Sequence, residues 1–516
     1  MIIIIETPAS LLDSITNPHG ANKLSFILYN LFLTQTNHFI IVLTDLSNHE
    51  CNVRNNDLSS NANHFFINYE SLGNYLFEEN IVPDVALSFD IKLNRLLSFR
   101  HLHQFPFPVI GLIHSLGFES HINDLLSIKP LITAHDRLIC PSENTQDTVL
   151  KVGFNETNTH VMHYGLDHTC YKPISNKRKQ DLRNQLLLPL DKPVILFLSR
   201  ISPTLKTDLT PFIRIMPDLL KINPNFIFYI VGSVIDSDYV KQLKVFVTEL
   251  GLEDHINWEH NPDHDAIEQY YQSSDIFLGL SDHPGETYGL TVMEAMSAGL
   301  PVLLSDHAAY KVHITHAKEG YYIPTLLANV NLNHSFYYCS NTEFASLYSQ
   351  SLALDNTVLI QFLSELLSSP KKTLSMGKAA RKKIESNHTL NHMFQRLMDL
   401  ITTVVQDSHD KPSAFNNNLF LNTHELFSHH PTRFLSTTDS FCLTETTRNL
   451  LQQELDCFFF EKQLITYKLV TVIIHLLSEQ DYCLKELCNS INASPEEVEQ
   501  NCVFLLKQHI ISLKQK

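Results

Sequence analysis

Two glutamates eight residues apart, Glu286 and Glu294, carry the strongest chemical signal in the chain. They lie in Asp282-His-Pro-Gly-Glu-Thr-Tyr-Gly-Leu-Thr-Val-Met-Glu-Ala-Met-Ser-Ala-Gly-Leu-Pro301. On a helix that spacing is just over two turns, so the side chains share a side, one at the mouth and one further along. The helix N-terminus offers free amides and the positive end of the macrodipole, which suits a phosphate. A carboxylate below it is placed to accept hydrogen bonds from sugar hydroxyls. Arg200 and Lys206 follow another apolar run, and two cations at a strand end and its loop can clamp a diphosphate. His114 closes the run from Val109 and falls at the same kind of edge. Each feature also has an ordinary reading: a solvated Glu pair on a plain helix, two solvated cations, a structural histidine.

The elements around these residues decide between the readings. Asp275–Leu280 has the length and edges of a buried strand. Pro284 and Gly285 break the chain, a helix follows from Thr287, and Gly299-Leu-Pro301 stops it before a strand at Val302–Leu304. Residues 1–173 alternate candidate strands (Ile2–Ile5, Phe39–Thr44, Val85–Phe89, Val109–His114, Arg137–Cys140 and His160–His163) with helical patterns such as Leu24–Thr34 and Ser71–Glu79. Residues 174–405 repeat the alternation, with strands at Val194–Ser199, Phe226–Val231, His255–Glu259, Ile276–Leu280 and Val302–Ser305. The expected class is α/β, two doubly wound Rossmann-like domains with ligands at the carboxyl ends of the strands. Gly232, ending the second of these strands, joins the donor-binding candidates.

Composition narrows the partners. The 516 residues exceed one core. The formal net charge of −17 argues against nucleic acid held by phosphate contacts and against adsorption to anionic lipid. Residues 1–174 hold nine Lys/Arg against seventeen Asp/Glu, so no basic face is evident there. Nine scattered cysteines imply reduced thiols and a cytoplasmic protein. Met1-Ile-Ile-Ile-Ile5 reads as a first buried strand rather than a leader. No apolar run reaches transmembrane length. Asp236-Ser-Asp238 has a metal-binding Asp-x-Asp pattern, but it falls in a surface turn. His260 and His264 lack ligand spacing.

Six segments in chain order resemble glycosyltransferases of the GT-B fold, similar to family 4. They are His135-Asp-Arg-Leu-Ile-Cys-Pro-Ser142; His163-Tyr-Gly-Leu-Asp167 with Tyr171-Lys-Pro173, where Tyr164 replaces Asn; Ser199-Arg200-Ile-Ser-Pro…Lys206, where Ser199 replaces Gly; the complete Glu-x7-Glu of Glu286 and Glu294; Ser305-Asp306 with Gly320; and Met376-Gly377…Ala380-Arg381. The first loop, Pro8–Gly20, lacks the family's paired glycines. The resemblance runs to about Leu400. It implies a nucleotide-sugar-dependent, hexosyltransferase-type enzyme that retains anomeric configuration. Arg200 and Lys206 would hold the donor diphosphate, and the amides of Thr287, Tyr288, Gly289, Leu290 and Thr291 would meet the distal phosphate. Glu286 would contact the transferring sugar, Glu294 the ribose, and His114 would face the donor sugar from the first domain. No metal or other cofactor is implied. The acceptor is left open as a saccharide, a small molecule or a protein. A protein-modifying transferase and a non-catalytic module binding nucleotide-sugar or partners are the alternatives.

Beyond residue 405 the sequence reads as a polar connector, 406–445, and a mainly helical module, 446–516. Ser494-Pro-Glu-Glu497 is a helix start with an N-cap serine. The pattern Leu484–Ile491, Glu496–His509, Ile510–Leu513 resembles a winged helix. Six Lys against seven Asp/Glu in 461–516 disfavour DNA.

Overall fold

The apolar runs form two parallel sheets in this computed structural model, which describes residues 1–12, 20–59, 62–263, 266–328, 341–410, 435–452, 467–507 and 510–514. The first sheet holds β1 (Ile2–Glu6), β2 (Phe39–Thr44), β3 (His64–Asn68), β4 (Val85–Ser88), β5 (Val109–Leu112), β6 (Arg137–Cys140) and β7 (Thr159–Val161), in the order β3-β2-β1-β4-β5-β6-β7. The second holds β8 (Val194–Leu198), β9 (Ile227–Gly232), β10 (Ile256–His260), β11 (Ile276–Gly279), β12 (Val302–Ser305) and β13 (Gly320–Ile323), in the order β10-β9-β8-β11-β12-β13. The strand order reverses between β1 and β4 in one sheet and between β8 and β11 in the other. Crevices for ligands open at such switch points, beyond the carboxyl ends of the strands. Glu6 and Ser88 end the strands at the first switch point, and Arg200 and Ser281 follow those at the second.

Central strands such as Ile3-Ile4-Ile5 and Val194–Leu198 are buried throughout, as a sheet covered on both faces requires. The buried Arg100–Asp136 pair braces the first domain beside β5. Arg100 Nη2 donates to Asp136 Oδ2 at 2.9 Å, and Asp136 Oδ1 accepts from the Val109 amide at 2.7 Å. The helix Leu390–Asp410 lies against the first domain: Phe394 meets Phe32 edge-on at 5.2 Å. The Gly165 amide donates to Met393 Sδ, and any Cβ at Gly165 would run into the Thr389 carbonyl.

Residues 420–516 form a separate compact unit. Its sheet has the order β17 (Tyr482–Cys483), β16 (Ser440–Leu443), β18 (Ile511–Leu513), with β14 (Thr325–Leu327) and β15 (Leu352–Leu354) pairing in the first unit. Helices Tyr467–Glu479, Leu484–Ser490 and Pro495–Lys507 surround a core that includes Phe441, Ile473, Leu477, Leu487, Val498 and Cys502. The Ser494 amide donates to Glu497 Oε2 at 2.9 Å while Ser494 Oγ accepts from the Glu497 amide, completing the capping box. β16 lies inside the stretch read as connector, so its final residues are an element of this module; residues 411–434 are outside the described ones.

Candidate active site

Glu286 is buried at the mouth of the helix Leu290–Ser297, 7% exposed. Lys206 donates to its Oε2 at 2.7 Å, so the loop after β8 and the loop after β11 meet here. Burial pushes the Glu286 carboxyl up, yet the Lys206 charge and hydrogen bond outweigh it and hold the group below its ordinary value. It is therefore a carboxylate at neutral pH. The loop's carbonyls are taken from behind. Ala309 N–H donates to the Glu286 carbonyl at 3.1 Å, Ser142 Oγ to that of Thr287 at 3.0 Å, and His313 Nε2 to that of Tyr288. Gly289 precedes the helix at φ +92°, and a Cβ there would strike the Tyr310 ring. The helix begins at Leu290, three residues later than the sequence suggests, because Gly289 turns the chain at positive φ; its first amides have no partner within it, while Thr287, Tyr288 and Gly289 lie in the loop before it. Thr291 also bonds Tyr310 through its side chain, and Leu290 opens the helix.

Glu294 lies one face along the same helix. Tyr271 donates to its Oε2 at 2.8 Å, and Tyr171 adds a second hydroxyl. Burial raises this carboxyl above its usual range, against the pull of Lys23 and the two tyrosines. Neither tyrosine was marked as functional by the sequence: the pair Tyr270-Tyr271 looks like core, and Tyr171 stands only as a linker motif residue.

His114 sits where the sequence places it, after β5, but its ring is held by its own domain. Nε2 donates to the Phe89 carbonyl at 2.7 Å, which leaves Nδ1 as an acceptor 3.2 Å from the Tyr164 hydroxyl. Burial lowers its pKa, so the ring is neutral. Its carbonyl accepts from Thr287 Oγ1 at 2.5 Å, which ties the two domains together. Thr145 Oγ1 reaches the Thr287 carbonyl at 3.3 Å, and Tyr288 OH donates to the Tyr164 carbonyl at 3.2 Å. Gly117 and Gly285 touch backbone to backbone across the same seam.

Arg200 is exposed just past β8. Gly232 is a packing residue as well as a strand end: a Cβ there would overlap the Ser199 carbonyl. Asp236 caps the helix Ser237–Glu249, accepting from Asp238 N–H and Tyr239 N–H, and Asp238 pairs with Lys241 at 2.8 Å. Both carboxylates are thus used locally. His264 lies outside the described residues. Among those residues no cluster of His, Cys, Asp and Glu has metal-holding geometry, and no helix is long and apolar enough to cross a membrane.

Two cavities adjoin this machinery. One of about 490 Å³ runs between Asn144 and Thr148 of the first domain and Glu286, His307 and Lys311 of the second. Another of about 400 Å³ opens at the β1/β4 switch point among Glu6, Asp45, Tyr69, Asp90 and Arg95. Tyr69 hydrogen-bonds Glu6, and the Arg95 guanidinium lies 3.9 Å from the Tyr69 ring centre.

Residues 178–329 match the family model "Glycosyl transferases group 1". The matched stretch lies within the second domain. The chain resembles curated proteins in part. Spore coat protein SA of Bacillus subtilis is 25% identical over 255 residues, 47% of this chain and 58% of that protein. A D-inositol 3-phosphate glycosyltransferase of Streptomyces bingchenggensis is 24% identical over 199 residues, 38% of this chain and 43% of that one. An alpha-monoglucosyldiacylglycerol synthase of Streptococcus pneumoniae is 22% identical over 288 residues, 49% and 63%. The chain therefore spans about half the length of the curated relatives it matches. Among solved structures, Anabaena Alr3699/HepE in complex with UDP and glucose aligns with TM-score 0.54 and 17% identity over 78% of this chain and 100% of that chain. A glycosyltransferase from Rickettsia africae aligns with TM-score 0.56 and 15% identity over 79% and 99%. The two Rossmann-like domains ahead of the C-terminal unit have the GT-B fold.

Proposed function

We propose that this chain transfers a hexosyl unit from a nucleotide-sugar to an acceptor hydroxyl with retention of configuration. The observation that carries the reading is Glu286: a buried carboxylate held by Lys206 at the mouth of a helix whose first amides point donors at the same place. A sugar diphosphate fits such a mouth from both ends. Lys206 has three donors, so it can hold Glu286 and a phosphate oxygen at once. Arg200 adds a second cation, and the helix end takes the distal phosphate. Charge builds on the leaving diphosphate as the glycosidic bond breaks, and fixed donors and cations stabilise it there without a metal ion. Glu294, steadied by Tyr171 and Tyr271, accepts from the ribose hydroxyls. Glu286 orients the transferred sugar. The acceptor, a saccharide or another hydroxyl compound, enters from the first domain by way of the cavity at the β1/β4 switch point. Reaction in the cytoplasm follows from the free thiols and the soluble nucleotide donor.

Glu286→Ala tests the reading. Transfer should fall by about a hundredfold or more, the size of loss seen when a group acting at the reacting centre is removed, while the melting temperature shows that the domain is folded. Full transfer by this variant would remove Glu286 from the site and the reading with it.

A further inference from the structure

His283 is buried, 4% exposed, three residues before Glu286. Its Nδ1 accepts the Gly285 amide at 2.9 Å. That bond requires an unprotonated Nδ1, so the neutral ring carries its proton on Nε2. Burial, with Lys206 and Arg200 nearby, holds the pKa down at about 4, so the ring is neutral at pH 7. Nε2 is buried and has no hydrogen-bond partner among the described residues. A buried N–H donor without an acceptor is costly, and functional sites are where such groups persist. The ring cannot turn away to satisfy it. Phe118 of the first domain meets it edge-on at 5.5 Å, and Cε1, next to Nε2, faces the seam where Gly117 and Gly285 touch. Pro284 beside it and Glu286 three residues on both line the cavity of about 490 Å³, so it stands at the edge of the donor site.

We propose that His283 is a specificity-determining residue, its Nε2–H donating to a hydroxyl oxygen of the transferred hexose. This rests on the donor-site reading above. Arg200 and Lys206 already bring the charge that a diphosphate needs. A neutral imidazole against Phe118 adds no charge but offers one directional donor, which matches a hydroxyl. The domain seam fixes the ring, so its bond with the sugar forms only when both domains face the donor. The cost of leaving Nε2–H unpaired then becomes selectivity: a sugar lacking that hydroxyl, or carrying it at the wrong epimeric position, leaves the donor buried and unmatched.

The test titrates the full chain with UDP-, GDP- and ADP-glucose and with the three corresponding diphosphates. His283→Leu should weaken the preferred sugar nucleotide by roughly tenfold, the size of one neutral hydrogen bond, and leave its diphosphate unchanged. His283→Gln, which keeps an N–H at similar reach, should restore most of the affinity; His283→Asn, with a shorter reach, should not. Melting temperatures report folding, and the Gln against Asn comparison stands even if the Leu variant does not fold. Equal weakening of sugar nucleotide and diphosphate would place the bond on a phosphate and overturn the assignment. Unchanged affinities for all three variants would overturn it too. Binding of no probe by the wild-type chain would bring down the donor-site reading itself, a result distinct from wild-type binding that His283 does not affect.

Discussion

At the scale of the residue, the second glutamate makes a sharper demand than its motif suggests. Glu294 accepts from two tyrosine hydroxyls, most strongly when ionised, yet burial raises its pKa, and the tyrosine hydroxyls act against that rise. Tyr271→Phe removes one of them. The carboxyl then shifts further up, so the acid limb of donor binding moves to higher pH. On the proposed ribose role, whose contacts would be the same in the ground state and the transition state, KM for the donor should rise several-fold, by about the factor one hydrogen bond contributes, with kcat unchanged. A fall in kcat at constant KM would contradict the ribose role. The glutamates and the glycine before the helix were legible because their chemistry depends on spacing along one loop and helix, and Lys206 because it follows a strand end close behind Arg200. Tyr271, His283 and His313 were not. Tyr271 and His313 meet the site through tertiary contacts from other turns; His283 stands in the Glu286 loop itself, but in a chain with 28 histidines no single one stands out.

At the scale of the element, the strand–loop–helix unit depends on one backbone conformation. Gly289 occupies φ +92° with the Tyr310 ring against it. Gly289→Ala forces a side chain into a region that L-residues avoid, at about 1–2 kcal/mol, and displaces a buried ring besides. Tm should drop by a few degrees. Activity should drop far more, about a hundredfold, because a shift near 1 Å at the helix mouth misplaces the sugar diphosphate. A stable, fully active variant would show that the helix mouth tolerates movement and does not position the donor. The sequence displays this unit well, since an apolar run, a Pro-Gly break and an amphipathic helix each have local signatures. β3 and β13 escaped for the opposite reason. Both are edge strands, and His64-Phe-Phe-Ile-Asn68 and Gly320-Tyr-Tyr-Ile323 carry aromatics and polar ends in place of the aliphatic runs that central strands need. β16 was missed similarly, a four-residue strand in a polar surrounding whose partners, Tyr482–Cys483 and Ile511–Leu513, are far along the chain.

At the scale of the molecule, four histidines from His283 to His388 are held neutral. Burial is the largest cause in each case, with His283, His307 and His313 lowered to about 4 and His388 to about 3. An unfolded histidine takes up its proton near pH 6.5. Between that value and about 4 the unfolded chain therefore binds more protons than the folded one, and stability must fall as pH falls. Asp282 works the other way. Its carboxyl is pushed up to about 7, chiefly by burial, so the folded chain holds a proton there that the unfolded chain releases, and stability from this group is lost as pH rises toward 7. One histidine is offset and about three remain. Each contributes up to roughly 2 kcal/mol of destabilisation by pH 5, by integrating the shift over that interval. Glu286 adds its own loss only below about pH 4.5, where its unfolded carboxyl is protonated. Thermal unfolding at pH 7, 6 and 5 should show Tm falling steadily, with proton uptake on unfolding that grows from pH 7 to pH 5. Carboxylate-driven acid unfolding would instead keep Tm flat to about pH 5 and drop it below. The two profiles separate in the range where the enzyme would work, and a flat one would mean that these histidines are solvated and that the donor site is more open than the seam of Gly117 and Gly285 makes it.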